Sequence, residues 1–218
     1  MVNNVSWQLY QIYYDERQKK EILPFSLAHY NEGLTIFFET AIVKELVPAC
    51  EAEKVAICSW KLSQKMRNVG RLTPEMLDRD FQVLSFTRNG RDHKMLAMLN
   101  TWHPKSLEAL RKLWTKLGYR EPRETKQPVY QWHFMAKTEI YKRLIEEFVK
   151  PAHELIEKDE ELHELMISPT NYGALSRDAD MKSVQKKLGM SSYPLCPFVL
   201  ERCPSIWFDL HGYKVSYL

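Results

Sequence analysis

Glycine is scarce, with seven residues in a chain of 218. None of them falls in a G-x-G-x-x-G or G-x-x-x-x-G-K-[ST] pattern. Dinucleotide and Walker-type phosphate loops need glycine where backbone must approach the phosphates without a Cβ, so neither is expected. No hydrophobic run approaches the roughly 20 residues that span a bilayer. The four cysteines, Cys50, Cys58, Cys196 and Cys203, form no C-x-x-C pair and no zinc-ligand spacing. They read as reduced thiols packed as small hydrophobes. Charge of one sign is also missing, since 31 Lys and Arg against 28 Asp and Glu leave a net +3. That excess is too small for a nucleic-acid polyelectrolyte binder, although a few cations converging in one cleft could hold an anionic small molecule. Met1 to Trp7 has neither a basic n-region nor an apolar h-region, so a cytoplasmic location is expected.

What is present is core material. The chain is 44% hydrophobic and 12% aromatic, which excludes disorder. Its length suits one compact α/β domain over 1–218. Val5–Tyr14 alternates apolar and polar residues and predicts an N-terminal strand, which Asp15–Lys20 leaves as a charged loop. Leu34–Leu46 repeats apolar residues at helical spacing, with Thr35 as its N-cap and Pro48 near its end. Lys54–Trp60 is a short apolar run bounded by charge, a buried strand. Thr73 before Pro74 opens another helix. Phe81–Phe86 is a third strand, and His103–Gly118 a helix stopped by glycine. Pro128–Met135 reads as a fourth strand, followed by a helical pattern over Lys137–Ile167 that Pro151 should kink or divide. Ser168–Gly173 is a loop, Met181–Leu188 a helix capped by Gly189, and Tyr213–Leu218 a terminal edge strand. The alternation predicts a layered α/β fold, a mostly parallel or mixed central sheet flanked by helices.

Several clusters carry chemistry. Asp178-Ala179-Asp180 has the D-x-D form that holds a divalent cation against a diphosphate, but acidic residues opening a helix also satisfy its dipole, and that reading is preferred. His153 and His163 each precede Glu-Leu, yet their spacing puts them about 80° apart around an ideal helix. They therefore read as a solvated helix face. Trp60, Lys61 and Lys65 follow the second predicted strand, Arg88, Arg91, His93 and His103 follow the third, and Gln131-Trp132-His133 lies in the fourth. Sites in α/β folds gather outside the carboxyl ends of strands. Cations there can neutralise a diphosphate and an indole can stack on a base or sugar, the alternative being core aromatics and solvated charge. Glu201-Arg202 interrupts an apolar run, where a carboxylate must be either paired or functional.

Three segments, His133-Phe-Met-Ala-Lys-Thr-Glu-Ile-Tyr-Lys-Arg-Leu144, Pro151-Ala-His-Glu-Leu-Ile-Glu157 and Phe198-Val-Leu-Glu-Arg202, together resemble bacterial capsule-locus glycosyltransferases. The likeness runs in patches from about residue 54 to 210. It implies a GT-A-like fold and transfer of a sugar from a nucleotide-sugar donor to a hydroxyl of a surface-glycan acceptor. Manganese or magnesium is the cofactor it would allow, and no residue is assigned to it. The resemblance makes Glu201 the candidate catalytic carboxylate and Arg202 its orienting partner. Tyr13, Asp15, Trp60, Lys61, Lys65, His93, Trp132 and His133 become candidate donor contacts. Where the family has His-Tyr-Arg-Arg this chain has Trp60-Lys61-Leu62-Ser63. That departure keeps open a second reading, a non-catalytic structural or assembly subunit on the same scaffold, as in a bacteriophage particle.

Overall fold

Strands β1 (Trp7–Tyr13), β2 (Leu27–Tyr30), β3 (Lys54–Ser59), β4 (Val83–Ser85), β5 (Phe134–Lys137) and β6 (Val215–Tyr217) form one sheet in the order β2-β1-β3-β5-β4-β6. They are seen in a computed structural model that describes residues 6–66, 69–86, 94–170 and 184–218. β5 pairs antiparallel with both β3 and β4, and every other pairing is parallel. The fold is therefore a layered α/β fold around a mixed sheet.

Alternation along the strands feeds two cores, as a period of two requires. Val55 and Ile57 of β3, with Phe134 and Ala136 of β5, point into the larger one. Ala56, Cys58 and Met135 point into the smaller one on the opposite face. The larger core is covered by α1 (Glu39–Ala49), α5 (Ser106–Lys116), α6 (Thr138–Leu144), α7 (Lys150–Lys158) and α8 (Glu160–Met166). Two late helices, α9 (Cys196–Leu200) and α10 (Cys203–Leu210), complete it. The short α2 (Leu62–Lys65) and α3 (Pro74–Leu77) lie on the smaller core. Lys54 opens β3 fully covered, its Nζ donating to the carbonyls of Leu77 (2.7 Å) and Arg79 (3.0 Å). All four thiols are free and buried. Among the described residues no helix is long and apolar enough to cross a membrane.

Within the described residues the expected elements return with four instructive differences, while the expected loop at Ser168–Gly173 and helix at Met181–Leu188 lie partly outside the described residues. Asp15–Lys20 is no loop: Glu16–Glu21 forms a 3-10 helix with a capping box between Asp15 and Gln18. α1 begins at Glu39, not Leu34, because Phe38 has φ 48° and ψ −125° and cannot continue a helix backwards. The fourth strand begins at Phe134; Gln131 and Trp132 have φ 61° and 57°, and the His133 N–H donates to the Tyr130 carbonyl (2.9 Å). That is a tight two-residue turn, normally made by Asn-Gly. Pro151 does not break the long helix, since a π-helical turn over Ile145–Val149 widens it just upstream and relieves the clash of the proline ring. The break comes at Asp159, whose carboxylate caps α8 by accepting from the Leu162 N–H (2.9 Å). A further helix, α4 (Met95–Trp102), has no local cap. Its first N–H groups, Leu96 and Ala97, donate to the distant Glu124 carboxylate.

His153 is buried, not solvated, and it anchors the start of α1. Its ring stacks on Phe37 at 3.8 Å and its Nε2 lies 2.8 Å from Thr40 Oγ. The Thr40 hydroxyl donates to the Phe37 carbonyl, so Nε2 must be the donor to it and the ring is the neutral Nε2–H tautomer. Burial, with help from Lys44, lowers its pKa to about 3. The unfolded chain therefore binds a proton below about pH 6.5 that the native state refuses until about pH 3, so stability is full above 6.5 and falls as pH drops. Denaturant melts at pH 7 and pH 4.5 should differ by roughly 2–3 kcal/mol from this group. His153→Gln should flatten that difference.

Candidate functional site

The chain places β2 on one side of β1 and then returns to place β3 on the other. That reversal opens a crevice between the carboxyl ends of β1 and β3, the position where open α/β sheets bind ligands. A cleft of about 220 Å³ lies there. Tyr14 follows β1, Ser59 and Trp60 end β3, and Lys61 and Lys65 come from α2 and the residue before it. Because β5 runs the opposite way, the turn before it reaches the same edge and contributes Gln131. Phe38 and Glu39 enter from the start of α1, Trp102 and His103 from the end of α4. Tyr193, Pro197, Phe198, Glu201 and Arg202 close the far wall around α9.

Backbone strain concentrates here. Phe38 and Gln131 both line the cleft with positive φ, and Trp132 follows directly. Such conformations cost of order 1–3 kcal/mol each and persist only where packing over-determines them. Phe38 is held by stacking on Tyr193 (5.1 Å), which leans on Phe198 (5.7 Å), which in turn stacks on His103 (3.8 Å). This continuous aromatic wall fixes where Glu39 starts its helix.

The electrostatics are those of two carboxylates among cations. Burial, then the negative charge of Glu201, raises the Glu39 carboxyl, against the lowering effect of its own backbone N–H and of Lys65 and Lys61. Glu201 and Arg202 pair at 3.1 Å, with side chains 14% and 4% exposed. Arg202 lies over the Tyr130 ring (5.3 Å) and Lys61 over Trp60 (4.9 Å). His103 is lowered chiefly by burial, with Glu201 pulling it up and Arg202 pushing it down. It is a neutral hydrogen-bonding group at physiological pH.

Of the residues singled out in the sequence, the fold brings Trp60, Lys61, Lys65, His103, Gln131, Glu201 and Arg202 into this one cleft. Both readings of Glu201-Arg202 describe it, since it is an ion pair and also faces the cavity. Four others do not line it. Tyr13 is buried and packs on Tyr30, while Asp15 caps the 3-10 helix and pairs with Arg17. Trp132 is a core residue against Phe134 and Tyr141. His133 is fully buried behind the floor, its Nε2 3.2 Å from Ser59 Oγ. That pair has the spacing of a nucleophile and its base, but Nδ1 meets no orienting acceptor among the described residues, and burial with Lys65 pushes the imidazole well down. His93, Arg88, Arg91 and the Asp178-Asp180 pair lie outside the described residues.

Sequence reasoning missed Glu39, as it did Phe38, Trp102 and Tyr193. The signal for Glu39 was present: it is the one charged residue between Leu34 and Val43, and a carboxylate in an apolar run must be paired or functional, as for Glu201. Among the described residues no three His, Cys, Asp or Glu side chains gather as metal ligands. Glu39 and Glu201 instead share the cleft with Lys61, Lys65 and Arg202, a set that suits an anion better than a bare divalent cation. The cleft residues therefore do not fit manganese or magnesium. Comparison with protein-family models, with curated proteins and with solved structures finds no match for this chain.

Proposed function

We propose that this protein transfers a sugar from a nucleotide-sugar donor to a hydroxyl group of a glycan acceptor. The observation that carries the reading is the pairing, in one switch-point cleft, of two carboxylates with three cations and an aromatic wall. The cations suit a departing diphosphate, the aromatics suit flat ring faces, and a carboxylate raised toward neutrality suits proton abstraction. In this reading the acceptor oxygen attacks the anomeric carbon and the bond to the diphosphate breaks. The leaving group keeps the electron pair beside Lys61 and Lys65. The hydroxyl proton passes to Glu39, while Glu201, held by Arg202, accepts a hydrogen bond from the acceptor and orients it. A cleft of about 220 Å³ is too small to enclose both substrates, so the nucleoside and much of the acceptor would extend beyond its mouth.

The reading predicts stabilisation by nucleotides, because a ligand that binds only the native state raises its melting temperature. With UDP, GDP, dTDP or CMP near a hundredfold over Kd, one of the four should add roughly 5–10 °C. The double variant Lys61→Ala, Lys65→Ala should lose most of that gain. No shift with any of the four, with or without manganese, would overturn the proposal.

A further inference from the structure

Trp102 is 55% exposed, the largest exposure among the described aromatic side chains left open, and it lines the cleft. Trp114, Trp132 and Trp207 are fully buried and Trp60 nearly so. α4 buries Met95, Leu96 and Leu99, and Trp102 ends that helix without being covered. An indole half in water leaves on the order of 100 Å² of apolar surface solvated, which costs a couple of kcal/mol. Single exposed apolar residues are ordinary; one set in the wall of a cavity with hydrogen-bonding groups around it is a ligand surface. The neighbours here are of that kind. His103 follows in sequence, stacks on Phe198, and so joins Trp102's wall to the helix that ends at Glu201-Arg202. Gln131 adds an amide.

We propose that Trp102 is the platform of the acceptor subsite, on which a pyranose ring lies with its C–H face against the indole and its hydroxyls toward Glu201, His103 and Gln131. The acceptor is therefore a carbohydrate whose terminal residue presents an unbroken axial-hydrogen face. This rests on the transferase reading for the word acceptor, but not for carbohydrate binding itself. A flat apolar face over an indole and a rim of hydroxyls over carboxylate, imidazole and amide use all four groups at once. A nucleobase would use the indole but has little for a carboxylate paired with arginine. The lysines that suit the donor's diphosphate come from a different element, after β3.

The test is titration with methyl glycosides of glucose, galactose, mannose and N-acetylglucosamine at millimolar concentrations, with affinity read by ligand-observed NMR in wild type and variants and tryptophan emission followed in wild type, alongside melting with UDP, GDP, dTDP and CMP. At least one glycoside should shift wild-type emission to the blue and saturate. Trp102→Ala should bind that glycoside roughly tenfold more weakly or worse, with Trp102→Phe in between. Both variants should melt like wild type, the side chain being exposed, and keep the nucleotide-induced gain. No saturable response in wild type, unchanged affinity in Trp102→Ala, or loss of the nucleotide gain in that variant would each overturn the platform. A nucleotide gain without a glycoside response would sink the platform alone. A glycoside response lost in Trp102→Ala, with no nucleotide gain in wild type, would sink the transferase reading and leave the platform standing.

Discussion

Glu39→Gln is expected to cut sugar transfer by on the order of 10²–10⁴ while leaving nucleotide binding and the melting temperature close to wild type. Glutamine keeps the shape and cannot take the acceptor proton. Nor should the fold suffer, since the substitution removes a desolvated negative charge that Glu201 already disfavours. The pH profile supplies the sharper check. Glu39 sits above its ordinary range, so the acid limb of kcat/KM should lie above the usual carboxylate value of about 4.3. Glu201→Gln removes a neighbour that raises Glu39 and should move that limb down, whereas Lys65→Ala removes one that lowers it and should move it up. A limb that ignores both substitutions would dismiss Glu39 as the base.

Trp132→Ala should damage stability more than any of the other substitutions, at about 3–5 kcal/mol. The indole is only 2% exposed and packs parallel to Tyr141 (6.3 Å) and beside Phe134 (5.8 Å) in the larger core. The surroundings cannot collapse around the loss easily, because Trp132 sits in a turn whose backbone is already at positive φ. Urea melts measure the cost directly. A variant that melts like wild type but no longer gains from nucleotides would return Trp132 to the ligand site, contrary to its place in the core.

Trp132 also shows why the sequence was legible for elements but less so for the site. Alternation found β1, a short apolar run found β3, which is buried on both faces, and a glycine stop found the helix from Ser106. None of these signals could find the turn at Gln131-Trp132, since neither residue is a turn former and only the surrounding packing imposes the conformation. α4 escaped for a related reason: its cap, Glu124, lies 28 residues beyond Leu96. Position after a strand correctly grouped Trp60, Lys61 and Lys65, which share one short stretch of chain. The same rule failed for Tyr13 and His133, because it says which end of a strand faces the crevice but not which side chains rotate into it. Glu39 was hidden by the expectation that its helix began five residues earlier, at Leu34, where it would have been one more charge on a helical turn.

The reversed direction of β5 has a consequence for how such a protein can diversify. Its base is laid by sheet edges and a turn whose geometry is tied into both cores, so most changes there endanger folding. The rim, by contrast, lies open at the tip of α4, where Trp102 faces solvent and is held by little besides its own helix. Descendants could therefore vary position 102 at little cost to folding while inheriting the strand edges and the turn beneath it intact.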